Sequence, residues 1–388
     1  MVFIGILVGL IILVLLVVVH ELGHAIVARR NGVVVEEFGI GFPPAAKKWR
    51  PKKSFLGKNV VFSLNWLPLG GFVKLKGEYD SAEGAGTYGG ATFWVKTKIL
   101  LAGVMMNWLT AALLFMILAL VGMPKILPQQ AVLPFDSRVE RSALTVARVT
   151  PGSPAEKVGL QRGDEVRKIG DHSVTTPAEL SAATKAQAGR EVTIELVRGG
   201  QTLTKQVKLQ TAEQAKNGGY LGVGPQQTET IHSTWSAPIA AVVTTGQLTY
   251  ETVAGVGSIL IKTVNGTIGQ LFGSPESRQA AKADLVAVGE SVAGPVGILG
   301  VLFPSVLSSG VTQILLLAAI ISLTLAVMNI LPIPALDGGR WFTMLGFKLF
   351  GKKLTREREE TIQGIGFLVL MALTVLVTWS DITKVLRG

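Results

Sequence analysis

Four long apolar runs constrain the fold of this 388-residue chain more than any other feature. Crossing about 30 Å of hydrocarbon takes about 20 helical residues. The first three runs approach or reach that length, and the fourth does so with its flanking residues. The sequence therefore predicts a multi-pass α-helical membrane protein with about four transmembrane helices. The runs are Val2–Val19, Ile99–Val121, Ile314–Leu331 and Ile365–Thr378.

The distribution of charge orients these spans. Lys and Arg outnumber Asp and Glu by twelve to five between Arg29 and Lys98 and by six to three between Arg340 and Thr361, whereas residues 123–305 hold seventeen against fifteen. Because short cytoplasmic loops carry the excess of Lys and Arg, we expect both basic loops on the cytoplasmic side of the membrane and residues 123–305 on the extracytoplasmic side. The net charge of +11 is thus explained by topology, and no basic stripe interleaved with aromatic residues indicates nucleic-acid binding.

The extracytoplasmic region contains a candidate soluble domain at about residues 144–210. The turn Pro151–Pro154, the short helix after it and Gly163-Asp164 resemble a bacterial, circularly permuted PDZ domain. Such a domain would bind an extended peptide or a chain end by adding a strand to its sheet. The alternative is a small α/β insertion without a peptide groove. β-Type patterns occur at Thr145–Val149, Glu165–Ile169, Val192–Val197 and Thr202–Leu209, and a helical one at Ala178–Ala188.

Two further segments permit more than one interpretation. Glycines alternate with apolar residues at 38–44 and 66–77, which fits either a β-hairpin that dips back toward the membrane or a small cytoplasmic sheet. The segment Ile239–Val264 is moderately apolar but interrupted by polar residues and glycines. That mixture favours a helix on the membrane surface over a fifth span.

The sequence His20-Glu21-Leu22-Gly23-His24 indicates the chemistry. Residues four apart lie on one face of a helix, so both imidazoles can hold one metal ion. Glu21 then stands beside the metal, where a carboxylate can take a proton from water. Polar groups at the inner end of a span are costly unless they are partnered or functional. A pair of histidines that merely faces the cytoplasmic boundary is the alternative.

A catalytic zinc ion usually has three protein ligands. The chain has no cysteine, and its other histidines, His172 and His232, lie in the extracytoplasmic region, so we expect a carboxylate. Asp337 is the best candidate, because it follows the third span and precedes two glycines. The first and third spans both run inward, which brings Asp337 to the same side of the bilayer as His20 and His24. The alternative is a solvated cap at a helix end.

Together these features resemble the site-2 protease family of intramembrane zinc metalloproteases, over essentially the whole chain. The resemblance implies a metalloendopeptidase that uses Zn²⁺ and cuts within or next to transmembrane segments. It further implies that the substrate strand is held by the helix break at Pro332 and Pro334 and by the side-chain amides of Asn107 and Asn329. For the two asparagines, the alternative is hydrogen bonding between helices. The specific elements are His20–His24, Gly103–Asn107, Gly294–Ile298 and Asn329–Gly338.

A single PDZ insertion is similar to the bacterial branch of that family. This implies regulated intramembrane proteolysis in the lipid bilayer of a bacterial inner membrane, with single-pass substrates that have already been cut outside, such as anti-sigma factors or remnant signal peptides. Some bacterial members carry two PDZ domains, and this chain shows one. The rival hypotheses are a membrane-anchored metalloprotease that cuts non-membrane peptides, a metal transporter and a catalytically silent PDZ scaffold.

The sequence thus predicts eight segments. They are residues 1–28 (first span with the metal motif), 29–95 (cytoplasmic or re-entrant β-type loop), 96–122 (second span), 123–225 (extracytoplasmic region with the PDZ-like domain), 226–305 (juxtamembrane or interfacial helices), 306–339 (third span with the Asn-Pro-Asp-Gly motif), 340–361 (cytoplasmic loop) and 362–388 (fourth span and tail).

Overall fold

The computed structural model describes residues 2–217 and 219–387. The chain divides into two compact units, residues 1–121 with 235–388 and residues 122–234. The helices are α1 (Val2–Arg30), α2 (Phe93–Val121), α3 (Pro154–Lys157), α4 (Pro177–Ala186), α5 (Ala237–Phe272), α6 (Pro275–Ser291), α7 (Pro295–Gly297), α8 (Phe303–Leu307), α9 (Val311–Ile330), α10 (Asp337–Leu349) and α11 (Arg356–Arg387). The strands are β1 (Val35–Trp49), β2 (Val61–Leu75), β3 (Met123–Pro124), β4 (Arg138–Arg141), β5 (Thr145–Val149), β6 (Glu165–Ile169), β7 (His172–Ser173), β8 (Glu191–Arg198), β9 (Gln201–Lys208), β10 (Val223–Gln226) and β11 (Glu229–His232).

Four helices in the described part of the chain are long and apolar enough to cross a membrane, namely α1, α2, α9 and α11. Their apolar side chains face outward as well as inward, which is typical of helices surrounded by lipid. The prediction of four spans is therefore confirmed. The structure also confirms that a separate β-sheet region lies between the second and third spans.

Small residues allow the spans to pack closely. A Cβ atom on Gly23 of α1 would lie 2.5 Å from the carbonyl oxygen of Ala102 on α2, so the two backbones meet at this glycine. Between α2 and α9, the Ser322 hydroxyl donates to the Asn107 carbonyl oxygen at 2.8 Å. Close backbone approach at small residues and hydrogen bonds between helices are characteristic of membrane interiors.

The turn between α9 and α10 places Asp337. Proline at 332 and 334 cannot continue a helix, and Leu331 is accordingly extended, with ψ 152°. The first turn of α10 then folds back against this segment. A Cβ atom on Gly338 would lie 2.2 Å from the Ile330 carbonyl oxygen, so only glycine fits there. The turn fixes Asp337 as the first residue of α10.

The segment after α1 forms an antiparallel hairpin of β1 and β2. Its pairing is irregular, and the amide of Asn65 donates to the carbonyl oxygens of Ile40 and Gly41 at 3.2 and 3.1 Å. β2 packs on α1: a Cβ atom on Gly71 would lie 3.6 Å from Cγ of Glu21 and 3.8 Å from Cγ1 of Val17. The hairpin therefore lies against the first span at the level of the metal motif.

Helix α5 has 36 residues and is about 54 Å long at 1.5 Å per residue. Its first part packs along α2, where the indole nitrogen of Trp108 donates to Thr249 at 3.1 Å. Trp108 lies near the middle of α2, which is long and apolar enough to cross a membrane. The position of Ile239–Val264 on the membrane surface stays a prediction.

The second unit contains two sheets. The larger has the strand order β10-β5-β6-β8-β9, with β7 paired to β6, and the smaller has the order β3-β11-β4. A buried apolar cluster including Val146, Val166, Ile194 and Leu196 forms its core. Helix α4 begins with a capping box between Thr176 and Glu179. The predicted strands are present, and β10 extends the large sheet beyond the expected end at residue 210.

Candidate metal centre

Three side chains from two helices converge inside the first unit. His20 and His24 lie one turn apart on α1, are 7% and 6% exposed, and have their Nε2 atoms 3.1 Å apart. Oδ2 of Asp337, at the start of α10, lies 3.0 Å from the Nε2 atom of His20 and 3.2 Å from that of His24. The three ligand atoms thus form a nearly equilateral triangle.

The triangle fits a zinc ion. Tetrahedral zinc with bonds of about 2.0–2.1 Å has ligand atoms about 3.3 Å apart, close to the distances observed. Nδ1 of His24 lies 2.7 Å from the Ile99 carbonyl oxygen and must carry the proton, which leaves a lone pair on Nε2. Oδ2 of Asp337 is buried and receives no hydrogen bond. Lone pairs that converge in a buried site require a cation among them.

The amide of Asn107 supports His20 from α2. Its nitrogen lies 3.4 Å from Nδ1 of His20, and its buried oxygen has no hydrogen-bond partner. A metal-binding imidazole carries its proton on the other ring nitrogen. The amide orientation that directs the oxygen toward His20 therefore satisfies both groups, with Nδ1 donating to Asn107. The structure places Asn107 beside a candidate ligand.

Gly103 makes room for both imidazoles. A Cβ atom at this position would lie 2.4 Å from Nε2 of His24 and 2.6 Å from Cε1 of His20. Gly103 is therefore the point on α2 against which the two rings pack. The motif Gly103–Asn107 provides space through its first residue and a polar contact through its last.

Glu21 lies beside the cluster and outside the triangle. It lines a cavity of about 180 Å³ together with His24, Asp337, Tyr88 and Arg340. Burial raises the pKa of Tyr88, whose hydroxyl therefore stays neutral; it donates to the sulfur of Met344 at 3.5 Å. The cavity offers space for water next to the Glu21 carboxylate.

Comparison with known proteins assigns the family. The model of peptidase family M50 matches residues 8–373. The chain belongs to this family, the site-2 proteases. A Clostridium acetobutylicum protein that carries a zinc metalloprotease name is 31% identical over 381 residues, with 98% of each chain covered. The zinc metalloprotease RasP of Geobacillus kaustophilus is 26% identical over 454 residues, with 95% of each chain covered.

Membership in family M50 confirms three predictions. The protein is a zinc metalloendopeptidase, its cofactor is Zn²⁺, and it is embedded in a membrane. The His20, His24 and Asp337 triangle is the candidate site for that zinc ion among the described residues.

The other predicted site residues lie outside the triangle of ligand atoms. Asn329 is half-buried in the last turn of α9, and Pro332 and Pro334 lie in the turn before Asp337. Pro334 packs against α11, because a Cβ atom on Gly366 would lie 2.3 Å from the Pro334 Cβ. Their contact with substrate stays a prediction.

Sequence reasoning missed several groups around this M50 centre. The Ile99 carbonyl could not be found, because any residue type provides one. Half-buried Arg340 and buried Glu359, 19 residues apart, form an ion pair with nitrogen and oxygen 2.9 Å apart. The one available signal was the position of Arg340, three residues after Asp337 and hence on the same face of α10.

Proposed function

We propose that this M50 metalloprotease hydrolyses peptide bonds within or next to the transmembrane segments of single-pass membrane proteins. The observation that carries the proposal is the position of the ligands. His20 and His24 lie on a helix long and apolar enough to cross a membrane, and both are buried within the bundle of spans. A site placed there is accessible to a substrate segment that enters between the spans.

Each residue of the site has a distinct proposed role. His20, His24 and Asp337 hold zinc, which when bound polarises the scissile carbonyl and makes the attacking water more acidic. Glu21 accepts the proton of that water and returns it to the leaving nitrogen. Asn107 holds the ring of His20. The small cavity beside Glu21 supplies the space for water.

An uncut helix hides its amides in its own hydrogen bonds, so the substrate must unwind before cleavage. We propose that Asn329 and the turn of Pro332 and Pro334 hold the unwound strand. The hairpin of β1 and β2 is proposed to re-enter the membrane, because β2 packs on α1 beside Val17. Substrates with helix-weakening residues should therefore be preferred.

The proposed location is the bacterial inner membrane, with the basic loops in the cytoplasm. Residues 122–234 would then lie outside, where the larger sheet is proposed to act as a PDZ-type domain that binds a peptide or chain end. The proposed pathway is regulated intramembrane proteolysis, in which an earlier cut outside shortens the substrate. Anti-sigma-factor-like proteins and remnant signal peptides have the required form.

Trapping on a Glu21→Gln variant tests the proposal. The purified wild-type enzyme is given a labelled transmembrane peptide in vesicles and a soluble peptide of the same cut sequence, and the Glu21→Gln variant is used in native membranes to capture bound proteins. We expect cleavage of the membrane peptide by the wild type, an activity lower by about 10²–10⁴-fold in the variant, and captured single-pass proteins. Glu36→Gln, an exposed change on β1, serves as the control and should cleave normally.

Preference for the soluble peptide would instead support a membrane-anchored protease that acts on non-membrane peptides. Full activity of the Glu21→Gln variant would overturn the role of Glu21 as the base.

A further inference from the structure

The candidate ligand Asp337 is flanked on both sides by hydrogen bonds to the fourth span. Two residues before it, the backbone N–H of Ala335 donates to Oε1 of Gln363 at 2.6 Å. Three residues after it, the guanidinium of Arg340 binds Oε1 of Glu359 at 2.9 and 3.0 Å. Glu359 and Gln363 are four residues apart and therefore lie on one face of α11.

We propose that Arg340, Glu359 and Gln363 are positioning residues that hold Asp337 in its metal-binding place and so make the fourth span part of the metal centre. We call these three positioning residues the clamp. The proposal rests on the proposed role of His20, His24 and Asp337 as the zinc ligands.

The loop between β2 and α2 anchors the ion pair. Glu359 is 2% exposed, and its second oxygen accepts from the backbone N–H of Asp80 at 2.8 Å. Arg340 also donates to the carbonyl oxygen of Glu78, and its guanidinium carbon lies 4.7 Å from the centre of the Tyr88 ring. Glu359 is buried and Arg340 is half-buried, so loss of either partner leaves the other without its counter-charge where water screens it little. The pair therefore fixes α10 relative to α11.

The turn before Asp337 depends on α11 in a second way. Ala335 has φ +77°, a left-handed conformation that is costly for a residue with a Cβ atom. Such a conformation persists when its surroundings impose it. Gln363 does this through the Ala335 N–H, and Gly366 admits Pro334 at van der Waals distance. The backbone that leads into Asp337 is thus shaped by α11.

The clamp matters because the remainder of α11 makes few packing contacts that could hold the helix in place. Most of its apolar side chains are exposed, including Leu368, Val369 and Leu376. At its other end, Asp381 accepts from the backbone N–H of Gly297 at 2.7 Å. Polar bonds near its two ends thus attach a helix whose middle is little packed. A displacement of its first turns would move Asp337.

The test measures zinc release from protein that cannot turn over. Variants are made in the Glu21→Gln background, purified, loaded with one zinc ion and mixed with excess chromophoric chelator. We expect Glu359→Gln and Gln363→Leu to increase the zinc dissociation rate by about 10- to 100-fold, the range typical of groups that orient metal ligands. Gln363→Glu keeps the acceptor for Ala335 and should restore slow release. Glu360→Gln, which removes an exposed partner of Arg356 next to Glu359, is the matched control and should release zinc like the parent.

Thermal unfolding of the zinc-free variants separates positioning from general stability. We expect the melting temperature of zinc-free Gln363→Leu to stay close to that of Gln363→Glu while their zinc release differs. If Glu359→Gln and Gln363→Leu both released zinc at the rate of the parent, the clamp would be overturned. So would zinc release that follows the zinc-free melting temperature across all variants. If the wild type binds zinc but cuts no membrane peptide, the proposed function is wrong. The zinc-release test still shows whether the clamp holds Asp337.

Discussion

Nδ1 of His24 lies 2.7 Å from the carbonyl oxygen of Ile99, four residues before Gly103 on the same helix. This contact fixes which ring nitrogen of His24 can bind metal, and it joins α1 to α2. The contact also explains why residue 103 is glycine. Because the His24 ring is held against α2 at Ile99, the next turn of α2 must leave space for the ring. The backbone of α2 is therefore as much a part of the metal centre as the side chains of α1.

We expect Gly103→Ala to weaken zinc binding. The added methyl group would lie 2.4 Å from Nε2 of His24, so the ring or the helix has to move. An altered ligand orientation typically costs about 10- to 100-fold in metal affinity. Competition with a chelator measures the affinity. Gly346→Ala in α10 is the control, because no atom apart from the adjacent backbone of its own helix lies within 4 Å of its added Cβ, and it should bind zinc normally. Equal affinities for the two variants would contradict the packing argument.

Two aspartates, half-buried Asp337 and buried Asp381, should differ in their effect on metal content. Asp337→Ala removes a candidate ligand, so zinc should fall well below one ion per chain by metal analysis, and activity should be lost. Asp381→Ala should keep its zinc, because that carboxylate binds the Gly297 N–H at the other end of α11.

The Asp381→Ala variant should nevertheless be less stable by about 1–3 kcal/mol, the cost of leaving a buried donor unpaired. Its melting temperature measures this loss. Full zinc content in Asp337→Ala would require another third ligand.

The sequence predicted the parts of this centre that depend on local pattern. The spans follow from apolar runs of about 20 residues, and the placing of His20, Glu21 and His24 follows from the period of one helix. Asp337 required one further step: the first and third spans cross the membrane in the same direction, so their inner ends lie on the same side. The partner of Arg340 could not be predicted, because the sequence does not indicate which of several nearby acidic residues, Glu357, Glu359 or Glu360, will face it.

Two larger features also could not be predicted from the sequence pattern. The polar residues of Ile239–Val264 do not indicate what this helix packs against, because the contact of Thr249 with Trp108 depends on packing against the second span. The strand β10 has only four residues, and its assignment to the sheet rests on pairing with β5, which lies more than 70 residues earlier. Short strands acquire their identity from their partners.

Single cysteines test the orientation, because the chain has none of its own. Cysteines at the exposed positions Lys53 and Thr355 should react with a membrane-impermeant maleimide only after the cytoplasmic side is opened. A cysteine at Ser173, on β7, should react in intact cells. The reason is the excess of Lys and Arg at residues 29–98 and 340–361. Labelling of Lys53→Cys in intact cells, with Ser173→Cys protected, would reverse the topology.

The stability of the second unit should depend on pH through Asp164. This carboxylate is 1% exposed and accepts from Nε and Nη2 of Arg198 at 2.6 and 2.7 Å, and the bonds from Arg198 lower its pKa. A lowered pKa in the folded state contributes stability above the unfolded value, near 4, which is lost as the pH falls through the folded value. Asp164→Asn should therefore destabilise the unit by about 1–3 kcal/mol at pH 7, and less below pH 4.

Hydrogen exchange of β6 and β8 in the full-length protein measures this stability. Asp171→Asn, in the exposed turn after β6, is the control and should show no such dependence. A difference between Asp164→Asn and the parent that stays constant from pH 7 to below pH 4 would exclude the ion pair as its cause.

The last prediction concerns the larger sheet of the second unit, which should select substrates and take no part in bond breaking. The structure shows where it can be removed. The N–H of Ser142 donates to the Thr228 carbonyl oxygen at 2.9 Å, and the N–H of Thr228 donates to the Ser142 hydroxyl at 2.9 Å. A cut at residues 144 and 209 would instead leave β10 without its partner β5. Residues 143–227 are therefore the unit to delete, with a short glycine linker that joins Ser142 to Thr228.

We expect the deletion variant to bind zinc and to cleave a short, pre-trimmed transmembrane substrate at a rate within a few-fold of the parent. None of the candidate ligands, nor Glu21, belongs to the deleted segment, so the chemistry should survive. The parent should reject a substrate that keeps a large folded ectodomain, and the variant should cut it, because the proposed PDZ-type sheet would no longer exclude or bind that ectodomain. Both substrates are compared in the same vesicles with purified, zinc-loaded enzyme. A variant that folds and binds zinc but cuts neither substrate would show that the sheet is needed for catalysis itself.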